Sequence, residues 1–162
     1  MRALTVKTSC KREIVDLTGQ LEAIIPDGGE GVLHLSVAHT TAAVTTADLD
    51  PVTDLDMLDA FEAMVPKFRR PDPLASGVGI PTGTPTVPSG NASGLPYRHP
   101  HDPSHVEDHI LSSLIGTSVC IPFKEGKLVL GTWQRVVLIE FDGPQERSLY
   151  THALWETDVF RS

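Results

Sequence analysis

The period of apolar and polar residues changes several times along the chain, and each change marks an element. Ala3 to Thr8 and Glu13 to Leu17 mix β-branched with charged residues in short runs, as strands do. Thr18, Leu21 and Ile25 fit a short helix capped at Thr18 and ended by Pro26-Asp27-Gly28-Gly29. Gly31 to Thr41 alternates as a strand, with Leu33, Leu35, Val37 and His39 on one face and Val32, His34, Ser36 and Ala38 on the other. Asp50 and Pro51 open a helix as N-cap and first helical residue. Leu55, Leu58, Phe61, Met64 and Val65 follow at helical spacing until Pro66. Ser104 and Glu107 form a capping box for a second long helix, whose apolar face is Val106, Ile110, Leu111 and Leu114 and whose end is Gly116. Strands follow at Ser118 to Phe123 and Lys127 to Thr132, joined at Lys124-Glu125-Gly126. Two more, Arg135 to Phe141 and Arg147 to Ala153, turn at Asp142-Gly143-Pro144. Strands and helices alternate but finish in an antiparallel meander, so the expected class is α+β: one compact domain of mainly antiparallel strands packed with a few helices.

One stretch breaks this pattern. Nine of the thirteen prolines fall between residues 66 and 103, and no charged residue occurs from Leu74 to Pro96. Such a stretch predicts a long loop rather than a packed element. With 162 residues there is too little chain on either side for two domains. The expected organisation is therefore a single domain over 1–162 with a Pro/Gly-rich insertion at about 71–96.

Composition narrows the function classes. The chain is 40% hydrophobic and 21% charged, ordinary for a globular protein, with a net charge of −8 when histidine is neutral. That balance speaks against nucleic acid and against a polybasic membrane-surface role. Apolar runs stay well short of a bilayer span. Met1 to Lys11 lacks the apolar core of a secretory signal, and two widely spaced cysteines, Cys10 and Cys120, suggest a reducing compartment. The expected location is the cytoplasm, with neither nucleic acid nor membrane as partner.

Seven histidines are present, and His99, His101, His105 and His109 fall within eleven residues. His105 and His109 share one helix face, a spacing at which two imidazoles can grip one divalent ion. Solvated or hydrogen-bonded histidines explain the same pattern, and no HExxH or CxxC motif decides between them. His39-Thr40-Thr41 ends a strand, where an imidazole and two hydroxyls could meet a phosphate or carboxylate; an ordinary β-rich threonine run is the plainer account. Alternation along Trp133 to Glu140 places Gln134 and Glu140 on one face with Val136 and Leu138. A carboxylate there needs a partner, a metal or a proton, and a core salt bridge serves equally well.

Four segments together carry a family resemblance: LHLSVAHTTAAV (33–44), YRH with HVEDHILSS (97–113), LIGTSVCIP (114–122) and GKLVLGTWQRVVLIEFDGP (126–144). In this order they resemble the YjbQ-type proteins, often called secondary thiamine-phosphate synthases. The resemblance implies a homotrimer with sites near subunit boundaries. It also implies a reaction that joins a pyrimidine pyrophosphate to a thiazole phosphate and releases pyrophosphate. His39, His99 and His109 are the implied ligands of a divalent metal, zinc first. Thr40, Thr41 and Arg135 are the implied contacts to a phosphorylated or anionic metabolite, and Glu140, Gln134 and Trp133 the implied catalytic positions. A non-catalytic metal- or anion-binding trimer is the alternative. The Asn-Glu-Asn stretch common soon after HTTA in this family is missing; Thr46-Ala47-Asp48 stands in its place.

Overall fold

A computed structural model describes residues 1–25, 27–50, 53–65 and 105–155, with the backbone alone at 53–55. The described residues form eight strands and three helices: β1 (Arg2–Lys7), β2 (Glu13–Asp16), α1 (Thr18–Glu22), β3 (Glu30–Val37), β4 (Ala42–Asp48), α2 (Thr53–Met64), α3 (Val106–Ile115), β5 (Ser118–Lys124), β6 (Lys127–Leu128), β7 (Gln134–Glu140) and β8 (Glu146–Trp155). The class is α+β, as the pattern predicts. The stretch at 71–96 lies outside the described residues, as do His99, His101 and Ser104.

The strands make two antiparallel sheets, one ordered β1-β8-β3-β5-β6 and one β2-β7-β4. The inner face of the larger sheet supplies Val6, Leu33, Leu35, Val37, Ile121, Phe123 and Leu149, packed against Ala42, Val44, Val136 and Leu138 of the smaller sheet. Leu17, Leu21 and Ile25, from the α1 segment, close one end of this core. The other face of the smaller sheet, with Ala43, Val137 and Ile139, packs on Leu58 and Phe61 of α2 and Ile110 and Leu111 of α3. The result is three layers: large sheet, small sheet, helices. Each leucine removed fully from water contributes on the order of 2 kcal/mol to holding them together.

This layering explains where the chain departs from its pattern. β7 is the middle strand of the middle layer, so Val136 to Glu140 are buried on both faces instead of one. β4 has no alternation to read, because Ala42, Ala43 and Val44 are all buried; the sequence reading found no strand there. β3 stops at Val37 rather than Thr41, and β6 is only two residues long. β7 and β8 are not a hairpin of one meander: they enter different sheets. Thr18 does not cap α1. The N-cap position is Leu17, and the Thr18 hydroxyl instead accepts the Val136 N–H at 3.0 Å, stitching α1 to β7. α3 begins at Val106 with His105 in the cap position, and Glu107 lies 3.7 Å from Arg12; the expected box partner Ser104 lies outside the described residues. Gly116 ends α3 as expected, at φ 111°. None of the described helices is long and apolar enough to cross a membrane.

Candidate functional site

The chain leaves β3 at Val37 and enters β4 at Ala42, so Ala38 to Thr41 bridge the two sheets. Ala38 still donates its N–H to Ser148 O at 3.0 Å, which holds the start of the bridge against β8. His39, Thr40 and Thr41 are thus presented where the small sheet meets the large one. α3 is tied to the same bridge by two side chains nearly one turn apart. Ser112 donates its hydroxyl to Ala42 O at 2.7 Å, and His109 meets Thr40 O through Nδ1 at 3.0 Å. A carbonyl oxygen only accepts, so Nδ1 carries the proton and the lone pair of a neutral ring is on Nε2. His105 packs edge-on against His109, with ring centroids 5.2 Å apart.

Beneath the bridge lies a buried ion pair. Glu140 ends β7 and Arg147 stands near the start of β8, and both are almost fully shielded from solvent. Arg147 grips the carboxylate with two nitrogens: Nε donates to Oε2 at 2.6 Å and Nη2 to Oε1. The backbone N–H of Asp142 adds a donor to Oε1 at 2.9 Å, and the Thr8 hydroxyl one to Oε2 at 3.2 Å. Four donors meet the two oxygens, which is how a carboxylate can stay charged without water. The turn between the two residues is tight enough to require glycine. A Cβ on Gly143 would lie 2.2 Å from Cys10 O and 2.9 Å from both Glu140 Cγ and Thr8 Oγ1.

Arg147 passes this order outward. Its Nη2 also donates to Thr41 Oγ1 at 2.9 Å, and Nη1 lies 3.1 Å from His39 Nδ1. His39 Nε2 faces the Ser148 N–H at 3.2 Å. Burial, and then the Arg147 charge, pull the His39 pKa below its ordinary value, with Glu140 opposing. His39 is therefore neutral near pH 7, with a single lone-pair nitrogen, yet each of its nitrogens meets an N–H donor, one of them cationic. It does not fit a metal-ligand role in this arrangement, since a metal needs a nitrogen lone pair turned toward it and no guanidinium in its place. His109, its Nδ1–H fixed by a carbonyl, has the tautomer that a ligand bonding through Nε2 would have. His99 lies outside the described residues. Among the described residues, no group of three or more His, Cys, Asp or Glu side chains is placed to hold a metal ion.

The remaining residues expected at the site are elsewhere. Gln134 starts β7 and Glu140 ends it, and six strand steps separate them by roughly 20 Å. Gln134 donates to Thr46 Oγ1 at 2.9 Å and accepts the Gly131 N–H at 3.0 Å. Arg135 folds back on its own backbone, donating to Gln134 O at 2.8 Å, and Trp133 is 72% exposed. Asp48 pairs in register with Gln134, so it belongs to this far end. The structure thus brings together His39, Thr40, Thr41, His109 and Glu140, and sets Trp133, Gln134 and Arg135 apart.

Sequence reasoning missed Arg147 and Thr8. The signal was partial: a half-buried Glu140 demands a cation, and Arg147 is the first basic residue after the turn. Alternation alone could not pair them, because they sit in different sheets.

A second buried acid lies on α3. Arg12 donates to Asp108 Oδ1 at 2.9 Å and stands 3.7 Å from Glu107 and 3.2 Å from Glu62. Among the described residues, Asp108 Oδ2, Glu107 Oε2 and Arg12 Nη1 are buried without a hydrogen-bond partner. Burial raises the Asp108 pKa to about 6, against the pull of Arg12 and Lys11; Asp142 and Glu107 add to the rise.

Comparison with known proteins gives one consistent family. The family model described as UPF0047 protein YjbQ-like matches residues 2–74 and 84–156, and its interruption falls within the Pro/Gly-rich stretch. A UPF0047 protein of Archaeoglobus fulgidus is 31% identical, over 93% of this chain and 98% of its own. The UPF0047 protein YugU of Bacillus subtilis is 28% identical, over 93% and 96%. Among solved structures, a hypothetical protein of Aeropyrum pernix superposes with a TM-score of 0.71 at 30% identity, covering 96% of this chain and 98% of that one. A protein of unknown function from Sulfolobus solfataricus gives 0.72 at 27%, with 96% of each chain covered.

Proposed function

The chain belongs to the YjbQ/UPF0047 family, and from that premise we propose that it is an enzyme acting on small phosphorylated metabolites, of the type that joins a pyrimidine pyrophosphate to a thiazole phosphate and releases pyrophosphate. The observation supporting this reading is the buried Glu140–Arg147 pair, which holds a neutral His39 at a partly open position on the bridge that also bears His109. A neutral imidazole can take a proton near pH 7 once substrate displaces the Ser148 N–H from its Nε2. As pyrophosphate departs, negative charge gathers on its oxygens, and donors aimed there lower the barrier. The hydroxyls of Thr40 and Thr41 suit that task. Thr41 already accepts from Arg147, which turns its own proton to another acceptor. Glu140 acts in this scheme as a positioning residue, through Arg147. Trp133, Gln134 and Arg135 are too far away within one chain, and in a homotrimer they are the end of β7 available to a neighbouring copy. A divalent metal, zinc first, is assigned only to the His99 and His109 part of the expected set, and no step depends on it.

A second reading is a non-catalytic binding protein for small anions. It is favoured by one observation: Glu140, the acid at an implied catalytic position, already has four donors on its two oxygens. The test is thiamine phosphate formation by tag-free protein from the two substrates. The enzyme reading expects product above a no-enzyme control, with His39→Ala lowering the rate by about a hundredfold or more. No product from the wild type overturns it, and pyrophosphate binding by calorimetry then tests the second reading. Metal analysis of the wild type against His99→Ala and His109→Ala tests the metal separately: stoichiometric zinc lost in both variants is the expected result.

A further inference from the structure

The outer face of the five-stranded sheet carries a row of side chains unrelated to the site above. In register, His34 of β3 stands opposite Cys120 of β5 on one side and His152 of β8 on the other. Leu33, Leu35, Leu149 and Ile121 turn inward to the core, so alternation turns His34, Cys120 and His152 outward together. Cys120 is a free, exposed thiol. Their backbones are in the strand ladders, and among the described residues no side-chain hydrogen bond or ion pair engages any of the three.

The ladder shows which neighbour of His34 is nearer. Val37 donates its N–H to Thr117 O, and Ala38 donates to Ser148 O. Residues 33, 35 and 37 therefore form the hydrogen-bonded pairs with β5, and residues 32, 34 and 36 form those with β8. His34 and Cys120 are a non-hydrogen-bonded pair, the type in which Cα atoms approach to about 4.5 Å and side chains lie closest. His34 and His152 are a hydrogen-bonded pair, at about 5.5 Å.

We propose that His34 and Cys120 form a site for a soft transition-metal ion of low coordination number, with Cu(I) as the matching chemistry. Thiolate sulfur selects Cu(I), and imidazole is a suitable companion. Two ligands suffice for Cu(I), so the site does not need the three-ligand cluster that the described residues lack. Binding replaces the thiol proton of Cys120 with the metal, so one proton is released per ion bound. The site is independent of the phosphorylated-metabolite reading, sharing no residue with it.

The experiment is an anaerobic titration of reduced protein with Cu(I) in competition with a chromophoric Cu(I) chelator. It is done in a Cys10→Ser background, because Cys10 is the other exposed thiol. The expected result is one Cu(I) per chain, an affinity lowered at least roughly tenfold by Cys120→Ser and by His34→Ala, and no change in His39→Ala. All these side chains face outward or lie at the rim, and circular dichroism confirms folding of each variant. Failure of the parent protein to take Cu(I) from the chelator overturns the proposal. So does an affinity that either Cys120→Ser or His34→Ala leaves unchanged.

Discussion

Glu140 and Asp108 are both carboxylates with no exposed surface, yet their surroundings differ in kind. Glu140 has two guanidinium donors, a hydroxyl and a backbone N–H, distributed over both oxygens. Among the described residues, the Asp108 carboxylate has one hydrogen bond, from an arginine that also answers to Glu62 and Glu107, and its second oxygen has none. Burial alone therefore does not define what a carboxylate does. Glu140 is gripped from both oxygens and fixes Arg147, which in turn donates to Thr41 and, after burial, helps to lower the His39 pKa. Asp108 takes up a proton near pH 6 and orients only an arginine that is itself shared.

The sharpest way to break the comparison is to remove the cation from Glu140. Arg147→Met leaves a buried carboxylate with only neutral donors, and a loss of about 3–5 kcal/mol is expected in chemical denaturation. Glu140→Gln in the same chain should recover part of that loss, because the uncompensated charge is gone. A single Arg147→Met variant as stable as the wild type would mean that Glu140 is not the charged partner it is taken to be.

Asp108→Asn should act in the opposite direction. The folded pKa of about 6 stands above the ordinary 3.8. The contribution of Asp108 to stability is thus fully present below pH 4 and lost as pH rises through 6. The shift of about two units corresponds to roughly 3 kcal/mol at pH 7. An asparagine keeps an oxygen for Arg12 and removes the charge from a site where one carboxylate oxygen has no partner among the described residues. The variant should be more stable than the wild type at pH 7 by up to that amount, with the gain vanishing near pH 4. Equal pH profiles for the two proteins would refute it.

Gly143→Ala tests the backbone around Glu140. Its Cβ meets the Cys10 carbonyl, which cannot move aside as a flexible side chain can, together with the Glu140 and Thr8 side chains. Overpacking of this kind costs about 1–3 kcal/mol. The damage should appear also as a changed pH dependence at His39, by NMR titration, since the displaced groups are those that align Arg147.

How much of this was legible in the sequence differs between the two carboxylates. Glu140 was visible as an acid on an apolar strand, and His39 and His109 as members of a recurring motif. Their meeting place was not, because it forms where β3 crosses from one sheet to the other, and β4, the strand it leads to, has small residues and no alternation. Arg147 was hidden by the same cause: β7 and β8 follow one another in sequence but enter different sheets. Asp108 gave no sign, since an acid in the first turn of a helix reads as a favourable charge at a helix N-terminus. Its burial comes from packing of α3 against β4 and from Arg12, which lies 96 residues earlier. The fold class was readable because it depends on periodicity summed over many residues. The site was only half readable because it depends on where strand ends meet.

The smallest stability effect is expected at the other end of β7, and there it is informative. Trp133 is mostly exposed, and Trp133→Ala should change folding stability by no more than about 0.5 kcal/mol. Such a substitution separates the two ends of the strand cleanly. At the Glu140 end, a loss of the proposed activity should arrive together with a loss of stability, because the same side chains hold the fold and shape the candidate site. At the Trp133 end they can only come apart. If thiamine phosphate formation falls in Trp133→Ala while the denaturation midpoint stays in place, this exposed end serves a site some 20 Å from its own Glu140, and the copy it serves is a neighbouring one. Mixing inactive Trp133→Ala with inactive His39→Ala chains should then restore part of the activity, in proportion to the mixed assemblies formed. No recovery on mixing, with Trp133→Ala fully active alone, would leave this end of β7 as surface.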